Sequence, residues 1–187
     1  MNILRKFLTV NIILAQKVRA YSFFLSNKIF YRDISISRDI IIGKGVLCRA
    51  TDGGTLSIGK GVSLGQNVRI EAKGGDILIG DNVFIGDGCI LVSQGHIRIG
   101  SCCQIAEYVV IRDQDHSISS RPIKDAGFET TPIEIGEDVW IGAKATIIKG
   151  STIGDGSIIG AHSLVRSDIP SFTLAAGIPA EVKKKIS

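Results

Sequence analysis

From residue 36 onward an aliphatic side chain returns at every sixth position, and the returns fall in threes. The triplets are Ile36, Ile42, Cys48; Ile58, Leu64, Ile70; Ile79, Ile85, Leu91; Ile99, Ile105, Ile111; Ile135, Ile141, Ile147; and Ile153, Ile159, Val165. Only Cys48 breaks the aliphatic rule. This is the period of neither an amphipathic helix nor an isolated strand, and internal repetition of this kind marks a solenoid. Three units close an eighteen-residue coil with one unit on each face of a triangular prism. Six such coils, stacked at a strand spacing of about 4.8 Å, make a parallel β-helix roughly 29 Å tall. The aliphatic side chains point inward as ladders of like on like. Glycine follows most ladder positions (Gly43, Gly59, Gly65, Gly80, Gly86, Gly100, Gly136, Gly142, Gly154 and Gly160), as expected for a tight corner with little room for a Cβ. Four positions after the ladder residue the side chain is small or medium, which gives Cys89 and Cys103 a structural slot beside Val62, Val109 and Ala145.

The departures from eighteen fall in one place. The steps from Ile36 to Ile58, Ile58 to Ile79 and Ile79 to Ile99 run a few residues long, and each surplus follows the third ladder residue. The segments Arg49–Thr55, Glu71–Asp76 and Val92–His96 are therefore expected as small bulges stacked along one edge. A larger excursion leaves that same edge after Ile111. A hidden extra coil there would put Ser117, Ile123 and Glu129 in ladder slots, and such a set cannot line a dry core. Residues 112–132 are read as a loop insertion.

Composition supports thin repeating layers rather than an ordinary core: the 187 residues include 22 glycines, and only 6% are aromatic. A net charge of +4, without a Lys/Arg run interleaved with aromatics, argues against nucleic-acid binding. Cys48, Cys89, Cys102 and Cys103 form no CxxC pair and no zinc spacing, so they read as small apolar fillers in a reducing, cytoplasmic setting. Residues 1–35 form a separate segment. Leu4, Phe7, Leu8, Leu14, Ala15 and Val18 lie near helical spacing, with Arg5, Lys6, Lys17 and Arg19 largely elsewhere, which predicts an amphipathic helix. Its apolar run is too short to span a bilayer. Docking on the β-helix or a partner subunit, and peripheral contact of residues 1–30 with an anionic membrane surface, both fit.

Residues from about 36 to 182 resemble the hexapeptide-repeat acyltransferases, in particular the sugar O-acetyltransferases of the maltose/galactoside and polysaccharide-modifying type. Three stretches carry the resemblance beyond the repeat. The loop opens Arg112-Asp113-Gln114-Asp115-His116-Ser117 and closes at Thr131-Pro132. Val139-Trp140-Ile141-Gly142-Ala143 and Ile159-Gly160-Ala161-His162-Ser163 lie one eighteen-residue step apart. The tail runs Asp168-Ile169-Pro170 and Ala175-Ala176-Gly177-Ile178-Pro179-Ala180.

The resemblance implies a left-handed β-helix with a short N-terminal helix and a C-terminal capping tail. It implies an acetyl-CoA-dependent O-acetyltransferase acting on a carbohydrate, in surface polysaccharide biosynthesis, as a homotrimer with sites between subunits and no metal. His116 takes the role of general base, since a sugar hydroxyl is a poor nucleophile and an imidazole near pKa 6.5 can accept its proton. Asp113 or Asp115 would fix the tautomer or favour the imidazolium. Ala143 and Ala161 would leave room for the pantetheine arm, with the Ala143 amide stabilising the tetrahedral oxyanion. Trp140 would pack at a subunit interface or against the acceptor. Arg166, Lys183 and Lys184 match the neighbourhood that meets the CoA phosphates, although Glu181 stands where the family often carries a basic residue. Two other readings share the fold: an N-acetyltransferase of an amino sugar, and a non-catalytic β-helix assembly module. His96 and His162 occupy repeat phases different from that of His116, which separates the chain from zinc-binding carbonic anhydrases of related fold.

Overall fold

The computed structural model describes residues 33–186, together with Val18 and Ser22. The helix expected in residues 1–35 lies outside the described residues apart from those two positions. What is described is a parallel β-helix with three faces. The first face stacks six strands: Ile34–Ile36, Thr55–Ile58, Asp76–Ile79, His96–Ile99, Ile133–Ile135 and Thr152–Ile153. The second begins with Ile41–Ile42, Ser63–Leu64, Phe84–Ile85, Gln104–Ile105, Trp140–Ile141 and Ile158–Ile159. The third stacks Leu47–Thr51, Arg69–Lys73, Ile90–Ser93, Val110–Arg112, Thr146–Ile148 and Leu164–Val165.

The ladders pair in the register that the repeat predicts. On the first face Ile36, Ile58, Ile79, Ile99, Ile135 and Ile153 are successive partners, and the Ile99–Ile135 step crosses the loop without a slip. Cys48, Ile70, Leu91, Ile111, Ile147 and Val165 do the same on the third face. These side chains are buried throughout, and each buried isoleucine contributes about 2–3 kcal/mol of apolar transfer. Corner glycines are fixed by space rather than by dihedral: a Cβ on Gly142 would lie 2.5 Å from the Ala161 backbone nitrogen. Left-handed backbone falls two residues later, at Lys144 (φ 60°), His162 (φ 58°) and Cys102 (φ 63°).

The surplus residues do stack along one edge, between the third and first faces, but they are not bulges. They lengthen the strands on both sides of a tight turn and add further inward positions. Leu56, Ile77, Ile97 and Ile133 form a second buried ladder on the first face, in partner register. Ala50, Ala72 and Ser93 form its counterpart on the third. An alternating strand simply gains an inward residue for every two added, so widening the prism was easier than looping out.

The second face continues above the last regular coil. Thr173–Ala176 pairs in parallel with Ile158–Ile159, and Glu181–Lys185 returns antiparallel on it. This closes the top of the stack, as the tail suggested. Lys183, Lys184 and Lys185 put charge on the outermost strand, which discourages edge-to-edge pairing. Among the described residues no helix is long and apolar enough to cross a membrane.

Candidate active site

The insertion is a two-stranded antiparallel hairpin. Gln114–His116 pairs with Phe128–Thr130, so that His116 faces Phe128, and a 3₁₀ turn at Ile123–Asp125 lies between the two strands in sequence. The rejected ladder slots behave as polar or surface positions: Ile123 and Glu129 are exposed, and buried Ser117 hydrogen-bonds to Ser119 and Glu129. The His116 imidazole is exposed and rests on the Phe128 ring, with centroids 4.4 Å apart and planes tilted by 35°. Phe128 holds the imidazole from one side and leaves it open to a reactant.

The two aspartates are placed differently from the expectation that one would orient His116. Asp113 is completely buried, and its carboxylate accepts the Ser93 hydroxyl at 2.6 Å and the Gln94 and Gly95 N–H groups at 2.9 Å each. Asp115 lies on the strand next to His116, with its Oδ2 3.6 Å from the Lys149 ammonium. Glu129, opposite Asp115 in the hairpin, sits 3.3 Å from the same ammonium. Lys149 belongs to the coil above, so it ties the hairpin upward while Asp113 ties it downward. Phe128, Lys149 and Ser93 were not singled out in the sequence, because Ser93 and Lys149 meet the hairpin only through the stacking of separate coils and Phe128 meets His116 only through the pairing of the hairpin's own strands.

Ala143 and Ala161 stack at the edge between the second and third faces, as their eighteen-residue separation predicts. The His162 N–H donates to the Ala143 carbonyl at 2.9 Å, and the Ala143 N–H has no partner among the described residues. Gly177 continues the column and accepts the Leu164 N–H at 3.0 Å through its carbonyl. This edge is a row of small residues with exposed backbone, above the acidic corners Asp87 and Glu107 and beside Lys144.

The remaining candidates are dispersed. Trp140 is exposed in the middle of the second face, between Gln104 and Ile158. Lys184 belongs to that face as well, opposite Leu174. Arg166 is different: it follows Val165 on the third face, at the hairpin's edge and not at the edge of Ala161. The whole third-face strand Thr146–Ile148 separates Ala143 from Lys149 and the hairpin, roughly 15–20 Å of chain. The chain therefore carries the imidazole on one edge and the row of small residues on another. His96 lies on the first face, 3.7 Å from Glu134, and His162 lies at the Ala161 corner, so the three histidines do not converge. Among the described residues no group of three or more His, Cys, Asp and Glu is placed to hold a metal ion.

The chain is thus a three-faced parallel β-helix, interrupted once by a histidine-bearing hairpin, with Ala143 and Ala161 stacked in register at another edge. The family described as "Bacterial transferase hexapeptide (six repeats)" matches residues 132–167. A protein of Escherichia coli K12 named as the lipopolysaccharide biosynthesis O-acetyl transferase WbbJ is 32% identical over 171 residues, 86% of this chain and 84% of that one. A Mycobacterium tuberculosis chain named as an acetyltransferase is 38% identical over 148 residues; these are 78% of this chain but 49% of the relative, so the chain spans about half that protein's length. Among solved structures, the polySia specific acetyltransferase NeuO is 28% identical with a TM-score of 0.55, over 81% of this chain and 80% of that one. The chain belongs to the bacterial hexapeptide-repeat acyltransferases.

Proposed function

We propose that this chain transfers the acetyl group of acetyl-CoA to a hydroxyl of a carbohydrate in surface polysaccharide biosynthesis, with His116 as general base. The observation that carries the reading is the exposed imidazole of His116, seated on Phe128 at the end of a strand that is pinned to the coils above and below. His116 accepts the proton of the acceptor hydroxyl as its oxygen attacks the thioester carbonyl. The tetrahedral oxyanion accepts a hydrogen bond from the Ala143 N–H; on collapse the C–S bond breaks, and the departing CoA sulfur takes the proton back from the His116 imidazolium to leave as the thiol. An oriented donor of this kind contributes about 3–4 kcal/mol to such a step. The Ala143–Ala161–Gly177 column suits the pantetheine arm, because its side chains are too small to block an approach to the backbone. Names of relatives support the acceptor class: lipopolysaccharide for WbbJ and polysialic acid for NeuO.

The separation of His116 from Ala143 favours a homotrimer in which the hairpin of one protomer meets the alanine edge of the next. Trp140, exposed on the face adjoining that edge, is then available to the neighbouring protomer or to the acceptor. Lys183, Lys184 and, from the other edge, Arg166 supply positive charge for the CoA phosphates. The test is thiol release from acetyl-CoA with a panel of sugars, including an amino sugar, and identification of the acetylated atom. His116→Ala is expected to lower turnover by about 10²–10⁴-fold. Undiminished turnover would overturn the mechanism, an N-acetylated product would move the reading to amino-sugar N-acetylation, and no turnover with any acceptor would leave a β-helix scaffold.

A further inference from the structure

The second inward column of the third face changes character where the hairpin leaves the stack. In successive coils it holds Ala50, Ala72, Ser93 and then Asp113. A carboxylate with no exposure in a column otherwise made of small side chains is costly unless it is hydrogen-bonded. Here both carboxylate oxygens are held, and by a single turn. Ser93 Oγ and the Gly95 N–H donate to one carboxylate oxygen, and the Gln94 N–H donates to the other. None of these donors is a cation.

The turn that grips Asp113 also seats the returning strand. A Cβ on Gly95 would come within 3.1 Å of the Thr130 Cβ and 3.4 Å of Asp113 Oδ2, so the glycine lets both strands of the hairpin settle on the coil below. The Asp113 carbonyl in turn accepts the Thr131 N–H at 3.0 Å, which joins the outgoing and returning strands at their root. His116 is three residues beyond this point. With both oxygens committed to residues 93–95, the Asp113 carboxylate is not available to the imidazole.

We propose that Asp113 is a positioning residue, clamping the hairpin root onto the Ser93–Gly95 turn and thereby fixing where His116 stands, rather than a partner that polarises the imidazole. The inference rests on the reading of His116 as the base. Loss of a carboxylate held by three donors weakens the anchorage of the Gln114–His116 strand, while removal of the Ser93 hydroxyl weakens it in part.

Two variants of the full chain, Asp113→Asn and Ser93→Ala, separate the possibilities. Amide hydrogen exchange over residues 114–117 should accelerate at least tenfold in Asp113→Asn and by a smaller factor in Ser93→Ala. The kcat should fall about 10–100-fold in Asp113→Asn with the KM for acetyl-CoA within twofold, and the acidic limb of the kcat/KM profile should keep its midpoint. Exchange that does not change, or an acidic limb displaced by half a pH unit or more in Asp113→Asn, would overturn the clamp in favour of direct electrostatic coupling. Exchange needs no turnover. If His116→Ala were fully active while Asp113→Asn still loosened residues 114–117, the function reading would fail and the clamp would stand as a structural anchor.

Discussion

The corner at Gly142 ties stability to the alanine edge, and the effect of replacing it by alanine follows from the local geometry. A Cβ there meets the Ala161 nitrogen at 2.5 Å, and the Ala161 Cα and Gly160 carbonyl carbon at 2.9 Å. All three are backbone atoms of the next coil, so no side chain can swing aside. Relief to an ordinary separation near 3.5 Å requires the two coils to part by about 1 Å at this corner, a large fraction of the slack in a 4.8 Å strand spacing. Two hydrogen bonds span the gap: the Gly142 N–H to the Ile159 carbonyl at 2.8 Å, and the His162 N–H to the Ala143 carbonyl at 2.9 Å. At about 1 kcal/mol each, and with looser packing in the layer beneath, Gly142→Ala should cost about 2–3 kcal/mol. Because the Ala143 amide moves with the corner, kcat should fall as well. Urea unfolding followed by far-ultraviolet circular dichroism measures the first effect, and thiol release at saturating acetyl-CoA the second. A variant within 0.5 kcal/mol of the parent would refute the reasoning, since it would mean that the coils separate here without penalty.

Three further outcomes are expected. Thiol reagents at pH 8 should modify Cys102 alone in the native chain. Burial pushes Cys48 up to about 12 and Cys89 and Cys103 up to about 11, and the latter two donate to the Ala106 and Gly136 carbonyls, so native-state labelling of any of the three would contradict their packing. Glu71 is held below the ordinary carboxylate value of 4.5, chiefly by its hydrogen bond from Arg69 and further by Lys73. A depressed folded value stabilises above the unfolded one and is lost as pH falls through it. The stability gap between the parent and Glu71→Gln should therefore close below about pH 4.5; a gap constant from pH 7 to 3 would discount the pair. Finally, mixed trimers of two inactive variants, His116→Ala and Ala143→Leu, should regain roughly a quarter of parental activity if each site draws one residue from each of two protomers. No recovery on co-expression would place both residues in the same protomer's site.

The ladder register was legible down to the residue, including the Ile99–Ile135 step across the insertion. An aliphatic side chain on a short strand has one dry place to go, so a strict six-residue recurrence fixes both the face and the partner. The location of the edge that accumulates extra residues followed from the same count. Their form did not: whether surplus residues loop out or lengthen a strand depends on whether neighbouring coils lengthen together, as Ala50, Ala72 and Ser93 do. The hand of the helix came from family resemblance, because the repeat is the same for either sense.

At the candidate site, the stacking of Ala143 on Ala161 was legible from the repeat, because each is counted from a ladder residue, whereas the role read for His116 came from the family resemblance. What holds His116 was not legible. Asp113 looked like a catalytic partner by its nearness in sequence, yet the inward parity of its column turns it away from the imidazole and onto Ser93, twenty residues earlier. Lys149 reaches Asp115 and Glu129 from the coil above, and Phe128 reaches His116 from the far strand of the hairpin. These pairs join residues whose separation in the chain carries no period. Sequence by itself determined the stack, because burial acts on every sixth side chain independently. Only the tertiary structure decided which polar groups meet at the hairpin root, Asp113 on the Ser93–Gly95 turn and Lys149 on Asp115 and Glu129, because that depends on how separate coils meet.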